Sequence, residues 1–132
     1  MFKIYDAPVS WRSMLQATVA LSTIEAEYMI VTVGVHEALW LWGFLDDLGF
    51  EQDYVDLWCN SQGVIHLAKN QVYHTRTKHI NVIYHFVWDV IEDGDTFLMQ
   101  VHMDENPVDM VTKVVPGGKF KHCLNLLNIS QC

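Results

Sequence analysis

The period of the hydrophobic positions changes several times along the chain, and each change marks an element. Phe2 to Tyr5 and Val9 to about Leu21 carry alternating or β-branched apolar residues on either side of Asp6-Ala7-Pro8, which predicts a β-hairpin with a very short first arm. Ser22-Thr23-Ile24-Glu25 has the Ser-x-x-Glu spacing of a capping box, and the chain then runs without proline from Thr23 to Leu48 before Gly49. That pattern predicts one long helix. Its apolar residues form two rows, Ile30, Val33, Trp40 and Phe44 in one and Val31, Ala38, Leu41 and Leu45 in the other, so the helix is expected to be buried on two sides.

Tyr54 to Cys59 is a short β-type run, and Ser61 to Asn70 has helical spacing with Asn70 as its stop. A second amphipathic helix is expected from about Thr77 to Glu92, closed by Asp93-Gly94, and Thr96 to Met103 alternates as a strand. Glu105 to Lys113 and Lys119 to Asn128 are expected as two short helices parted by Pro116-Gly117-Gly118. Strands alternate with helices in this order, which predicts an α/β fold with helices packed on a mixed sheet. No repeat or Pro/Gly/Ser-rich linker divides the 132 residues, so a single domain over 1–132 is expected.

Composition narrows the function classes. A hydrophobic content of 51% with 18% charged residues excludes a disordered chain and hints at contact with a partner. Sixteen Asp and Glu against eight Lys and Arg give a formal net charge of −8, and the basic residues are scattered. General affinity for nucleic acid or an anionic membrane is therefore not expected, since phosphate neutralisation needs clustered cations. Cys59, Cys123 and Cys132 form no CxxC pair, so neither a disulfide framework nor a zinc site can be read from their spacing. The first residues show no basic segment leading into a long apolar run, and the uncharged run Tyr28 to Val35 is far too short for a bilayer. A soluble intracellular protein of the cytoplasm or nucleus is expected.

Three acidic neighbourhoods qualify for metal-assisted chemistry, which needs carboxylates converging from different elements on Mg²⁺. Glu25 and Glu27 start the long helix, Asn60 follows the YVDLWC run, and Asp104, Glu105 and Asp109 lie near the C-terminal helices. By themselves these positions are a weak signal, since first-turn glutamates are more often helix-dipole partners than metal ligands and a lone Asp on a terminal helix is more often solvated.

The stretches VSWRS, QATVALSTIEAEYM, HEALWLWGFLDDLG, LWCNSQGVIHLAKN, YHTRTKHINVIYHF and ENPVDMVTK resemble, in order and spacing, the ribonuclease H domain of copia-type retrotransposon polyproteins. The resemblance runs from about Ala7 to Ile129. It implies a ribonuclease H-like fold, a mixed five-stranded sheet flanked by helices, and cleavage of RNA in RNA–DNA hybrids by two carboxylate-held Mg²⁺ ions. Carried over by position, it places Glu27 and Asp109 at catalytic, metal-binding carboxylates. Asn60, in Cys59-Asn60-Ser61-Gln62, stands where the family carries an aspartate, and the family's first aspartate lies on a central strand that would precede residue 1. The resemblance thus implies a domain missing its first strand and two of four metal carboxylates, with magnesium binding weak or lost.

Arg76 and Lys78, within the family's H-x-R-T-K-H-I signature, are the candidates for residual phosphate contact. His79 and His85 are six apart and do not share a helix face, which disfavours a metal pair. Trp40, Trp42 and Phe44 replace charge with aromatic surface and are candidate interface residues. The expected function is a degenerate ribonuclease H-like domain that binds or assembles rather than cleaves, as a homodimer or with another protein, with weak nucleic-acid binding at most and no membrane. The alternative is residual Mg²⁺-dependent cleavage of RNA–DNA hybrids.

Overall fold

Residues 1–4, 7–10, 22–70 and 78–129 are described in a computed structural model, residues 78–84 by their backbone alone. They fall into two compact units, Val19–Gln100 and a second unit made of Met1–Thr18 with Val101–Cys132. Both helices and strands are present, and the fold is α/β.

The larger unit is built around α1 (Thr23–Asp47). Its start follows from the capping box: the Ser22 hydroxyl accepts a hydrogen bond from the Glu25 N–H at 3.2 Å, satisfying one of the donors a first turn leaves open. Its end is a Schellman motif, with the Phe50 N–H donating to Leu45 O at 2.9 Å and the Gly49 N–H to Asp46 O at 2.8 Å. That geometry puts Gly49 at φ +82°, where a Cβ would be strained.

Beyond α1 the chain runs through β3 (Val55–Cys59), α2 (Gln62–Lys69), α3 (Lys78–Glu92) and β4 (Thr96–Gln100). β3 and β4 pair in parallel, Val55 opposite Thr96 through Cys59 opposite Gln100, with α2 and α3 in the crossover. The core lies where α1, α2 and α3 meet one face of this pair: Tyr28, Val35, Val64, Ala68, Val87, Val90 and Leu98 are buried together. The Trp88 indole reaches across to Leu67 O at 3.4 Å. The Thr96 hydroxyl is buried in this unit with no hydrogen-bond partner among the described residues. Trp58, Phe97 and Met99 are exposed on strand positions that alternate with the inward ones, and Tyr54, just before β3, is exposed with its ring edge-on to Phe97.

Burial of α1 differs from expectation. Tyr28, Thr32, Val35 and Ala38 form the buried row, whereas Ile30, Val33, Trp40 and Phe44 are exposed. The helix is thus buried along one side. Both rows are apolar, so hydrophobicity alone did not distinguish the inner from the outer, and only the contacts with β3, α2 and α3 do so. By length and composition α1 could also cross a membrane, but its buried row sits in a protein core.

The smaller unit holds an antiparallel pair, β1 (Phe2–Ile4) and β2 (Ala7–Ser10), with Ile4 opposite Ala7. The expected continuation of the second arm to Leu21 lies, beyond Ser10, outside the described residues. A 3₁₀ turn (Met103–Glu105), α4 (Asp109–Thr112) and α5 (Gly117–Leu126) complete the unit. The helix expected over Glu105 to Lys113 is cut down to α4 because Pro107 disfavours a helical conformation at the residue before it. Asn106 is extended, and its side-chain oxygen instead accepts from the Val108 N–H at 3.2 Å. α5 begins two residues earlier than expected: Pro116 O accepts from the Phe120 N–H at 2.9 Å, so both glycines lie in the first turn.

Candidate functional site

The two carboxylates singled out by resemblance sit in different units, and each has a local partner that explains its position. Glu27 is in the second turn of α1. Its Oε2 accepts a hydrogen bond of 2.6 Å from the Ser61 hydroxyl. Ser61 is also the N-cap of α2, where the same hydroxyl accepts from the Val64 N–H at 3.4 Å. One side chain therefore caps a helix and ties it to α1, and the carboxylate lies beside the positive end of α2, an electrostatically favourable place.

Asn60 is exposed at the end of β3, between Cys59 and Ser61. The Ser61 N–H points to Cys59 Sγ at 3.4 Å. Burial pushes the Cys59 thiol above its ordinary value; the Ser61 backbone opposes that shift, and the negative charge of Glu27 adds to it. Glu27, Cys59, Asn60 and Ser61 are thus gathered at the end of β3 and the start of α2, with Glu27 as the carboxylate among these four.

Asp109 opens α4 and is 4% exposed. Lys113, one turn on, donates to its Oδ1 at 2.9 Å, and Lys119 of α5 donates to Oδ2 at 2.9 Å. Lys119 also donates to Met103 O at 3.1 Å. These bonds hold the Asp109 carboxyl below the usual carboxylate range, with Lys113 the larger cause and Lys119 the next. The arrangement ties α4, α5 and the 3₁₀ turn together. Nearby, His122 Nε2 lies 3.1 Å from both Glu105 oxygens, while His102 is exposed and its Nδ1 accepts from the Asp104 N–H at 3.3 Å.

These donors do not fit a magnesium pair. Mg²⁺ seeks anionic oxygens in octahedral geometry, yet both Asp109 oxygens are held by ammonium groups and position 60 offers a neutral amide. Among the described residues, no group of three His, Cys, Asp or Glu side chains is placed to hold a metal. Arg76 lies outside the described residues, and Lys78 is described as the first backbone position of α3. Trp40 and Phe44 stack one turn apart at 5.8 Å with rings 4° from parallel, both exposed. Trp42, two residues and about 200° around the helix from Trp40, is half-buried away from that pair.

Along nearly its whole length the chain is similar to polyproteins of plant transposons. It is 43% identical over 129 residues, 98% of its length, to the retrovirus-related Pol polyprotein from transposon TNT 1-94 of Nicotiana tabacum. It is 33% identical over 116 residues, 87% of its length, to that from transposon RE2 of Arabidopsis thaliana, and 29% identical over 125 residues, 94%, to that from RE1 of the same plant. Its homologues are retrovirus-related Pol polyproteins. The chain spans about a tenth of the length of these relatives, 10% of the first and 8% of the other two. No protein-family model matches it, and no solved structure does.

Ser61, Lys113 and Lys119 carry the site's geometry and were not singled out from the sequence. Ser61 had a readable signal, a serine directly after a strand and before a helical run. Lys113 stands four residues from Asp109, the spacing of a helical ion pair. Lys119 had none, since its contact bridges two elements.

Proposed function

We propose that this Pol-derived chain is a ribonuclease H-like domain that does not cleave nucleic acid and acts as a binding or assembly module. The observation that carries this reading is the engagement of both Asp109 oxygens by Lys113 and Lys119 at 2.9 Å. A carboxylate so neutralised is a poor metal ligand, because an incoming cation must displace two ammonium groups. The amide at Asn60 supports the same reading, as it adds no negative charge at the end of β3. Loss of one preorganised electrostatic group costs about 10²–10³-fold in rate, and here two positions are compromised.

The test is incubation of the full chain with an RNA–DNA hybrid in Mg²⁺ or Mn²⁺. No cleavage above background is expected, and Asn60→Asp alone should not restore it, because Asp109 remains engaged. Hybrid cleavage that Glu27→Gln abolishes would overturn the reading in favour of residual ribonuclease H activity.

A further inference from the structure

The outward side of β3 and β4 carries a single charge inside an apolar frame. Tyr54, just before β3, shares that side with Asp56 and Trp58, while Leu57 and Cys59 between and after them pack on the core. On β4, Phe97 stands opposite Asp56 and Met99 opposite Trp58. All five are exposed, Trp58 by 60% and Tyr54 by 53%, and the Tyr54 and Phe97 rings meet edge-on with centroids 5.3 Å apart. Asp56 thus has one aromatic residue two places before it, another two places after it and a third across the pair. Residues two apart on a strand are about 6.6 Å apart and paired strands about 4.8 Å, so all three rings border a group bound at the carboxylate. The four apolar side chains present on the order of 400 Å² of surface, the size at which an exposed patch is commonly functional.

Charge selects the occupant. Whatever covers this face takes Asp56 out of water, which is costly unless a cation meets the carboxylate. Among the described residues no side-chain hydrogen bond or ion pair engages Asp56, and β3 and β4 contain no Lys, Arg or His. The strands are parallel, so the segments leading into them lie at the same end of the pair. Those segments add Glu51, Asp53, Asp93 and Asp95 and no basic residue. A second copy applying the same face would therefore bring no cation to Asp56. A nucleic-acid strand would find rings on which its bases can stack, but its phosphates would meet an acidic surface. A wholly apolar segment would leave the carboxylate covered and unpaired.

We propose that this face binds an arginine-bearing segment of a protein partner, with the guanidinium on Asp56 among the Tyr54, Trp58 and Phe97 rings and an apolar neighbour of that arginine on Trp58 and Met99. Arginine suits the place better than lysine because its planar group makes two parallel hydrogen bonds to a carboxylate and also stacks on an aromatic face. Tryptophan is the strongest ring for such a cation. The acids at the start of the strands add a longer-range attraction that salt screens. The binding role proposed above thereby gains a partner of stated chemistry, and the inference rests on that role. Hybrid cleavage is a separate readout, so a failure of peptide binding and an appearance of cleavage are told apart.

The probe is a labelled peptide of leucine, glycine and two arginines, set against the same peptide with citrulline, which keeps the shape of arginine and loses its charge. Binding to the full chain is read by fluorescence anisotropy. The arginine peptide is expected to bind roughly 10-fold tighter than the citrulline one. Asp56→Asn should weaken arginine-peptide binding about 5-fold and leave citrulline-peptide binding unchanged, and Trp58→Ala should weaken arginine-peptide binding by a similar factor with far-UV circular dichroism unchanged. Asp47→Asn, which removes an exposed acid of α1 instead, controls for net charge and should leave binding as it was. Equal binding of the two peptides, binding of neither, or an effect of Asp56→Asn no larger than that of Asp47→Asn would overturn the proposal. So would a sedimenting dimer that Trp58→Ala dissociates, or binding of a single-stranded RNA oligonucleotide that Trp58→Ala abolishes.

Discussion

Replacing Asp109 with asparagine separates a structural carboxylate from a metal-binding one. In the native chain each carboxylate oxygen accepts from a lysine at 2.9 Å, and the side chain is buried. Lys113 is 57% exposed, so solvent screening and side-chain entropy leave that i,i+4 pair worth about 0.3–0.5 kcal/mol. The larger loss is at the carboxylate: asparagine keeps one acceptor and turns an NH₂ toward an ammonium, removing a charge-assisted hydrogen bond from a buried position. The expected cost of Asp109→Asn is about 1–2 kcal/mol, a fall in melting temperature of roughly 4–8 °C. It is measured by thermal unfolding in EDTA at pH 7, with hydrogen exchange of α4 and α5 locating the change. The lysines depress the folded-state pKa, so the contribution is complete above the unfolded value and is lost as pH falls through the folded one. The difference between the native chain and the Asp109→Asn variant should therefore shrink below about pH 4. If Asp109 belonged to a cluster of mutually repelling ligand carboxylates, removing its charge would stabilise the metal-free chain. An unchanged or raised melting temperature in EDTA would refute the structural role.

Thr96→Val should stabilise the larger unit by about 1 kcal/mol, because it exchanges a buried unpartnered hydroxyl for a methyl of similar shape; chemical denaturation checks it. Glu27→Gln should speed iodoacetamide alkylation of Cys59 near pH 8, since removing the neighbouring negative charge lowers a thiol pKa that burial and Glu27 together raise; mass spectrometry of the Cys59 peptide reads it. Binding to an RNA–DNA hybrid should be weak, should fall steeply with salt, and should drop further in Arg76→Ala or Lys78→Ala, as filter binding from 50 to 200 mM salt would show.

Much of the local structure was legible because it is written in short-range chemistry. The capping box at Ser22, the glycine at 49 and the serine at 61 mark where α1 and α2 begin or end, and the hydrogen bonds follow those residues. Where two short-range signals conflicted, one was misread: the helical spacing around Glu105 to Lys113 is overruled by Pro107 and the Asn106 side chain. The buried side of α1 was not legible, since its apolar residues surround most of the helix and neighbouring elements decide which are covered. The candidate site divides similarly. Glu27 and Asp109 were found by resemblance, but their partners lie 34 and 10 residues away across folds of the chain, in Ser61 and Lys119. The lysines change what Asp109 can do, and nothing in its immediate sequence announces the second of them.

Titration of Mn²⁺ into the full chain, followed by electron paramagnetic resonance of the free ion, tests most directly whether these carboxylates are committed to protein contacts rather than to metal. With Asp109 held by two lysines and an amide at position 60, no saturable binding is expected below about 1 mM, and Glu27→Gln and Asp109→Asn should leave the free-ion signal unchanged. Stoichiometric uptake of Mn²⁺ in that range, lost in both variants, would contradict it.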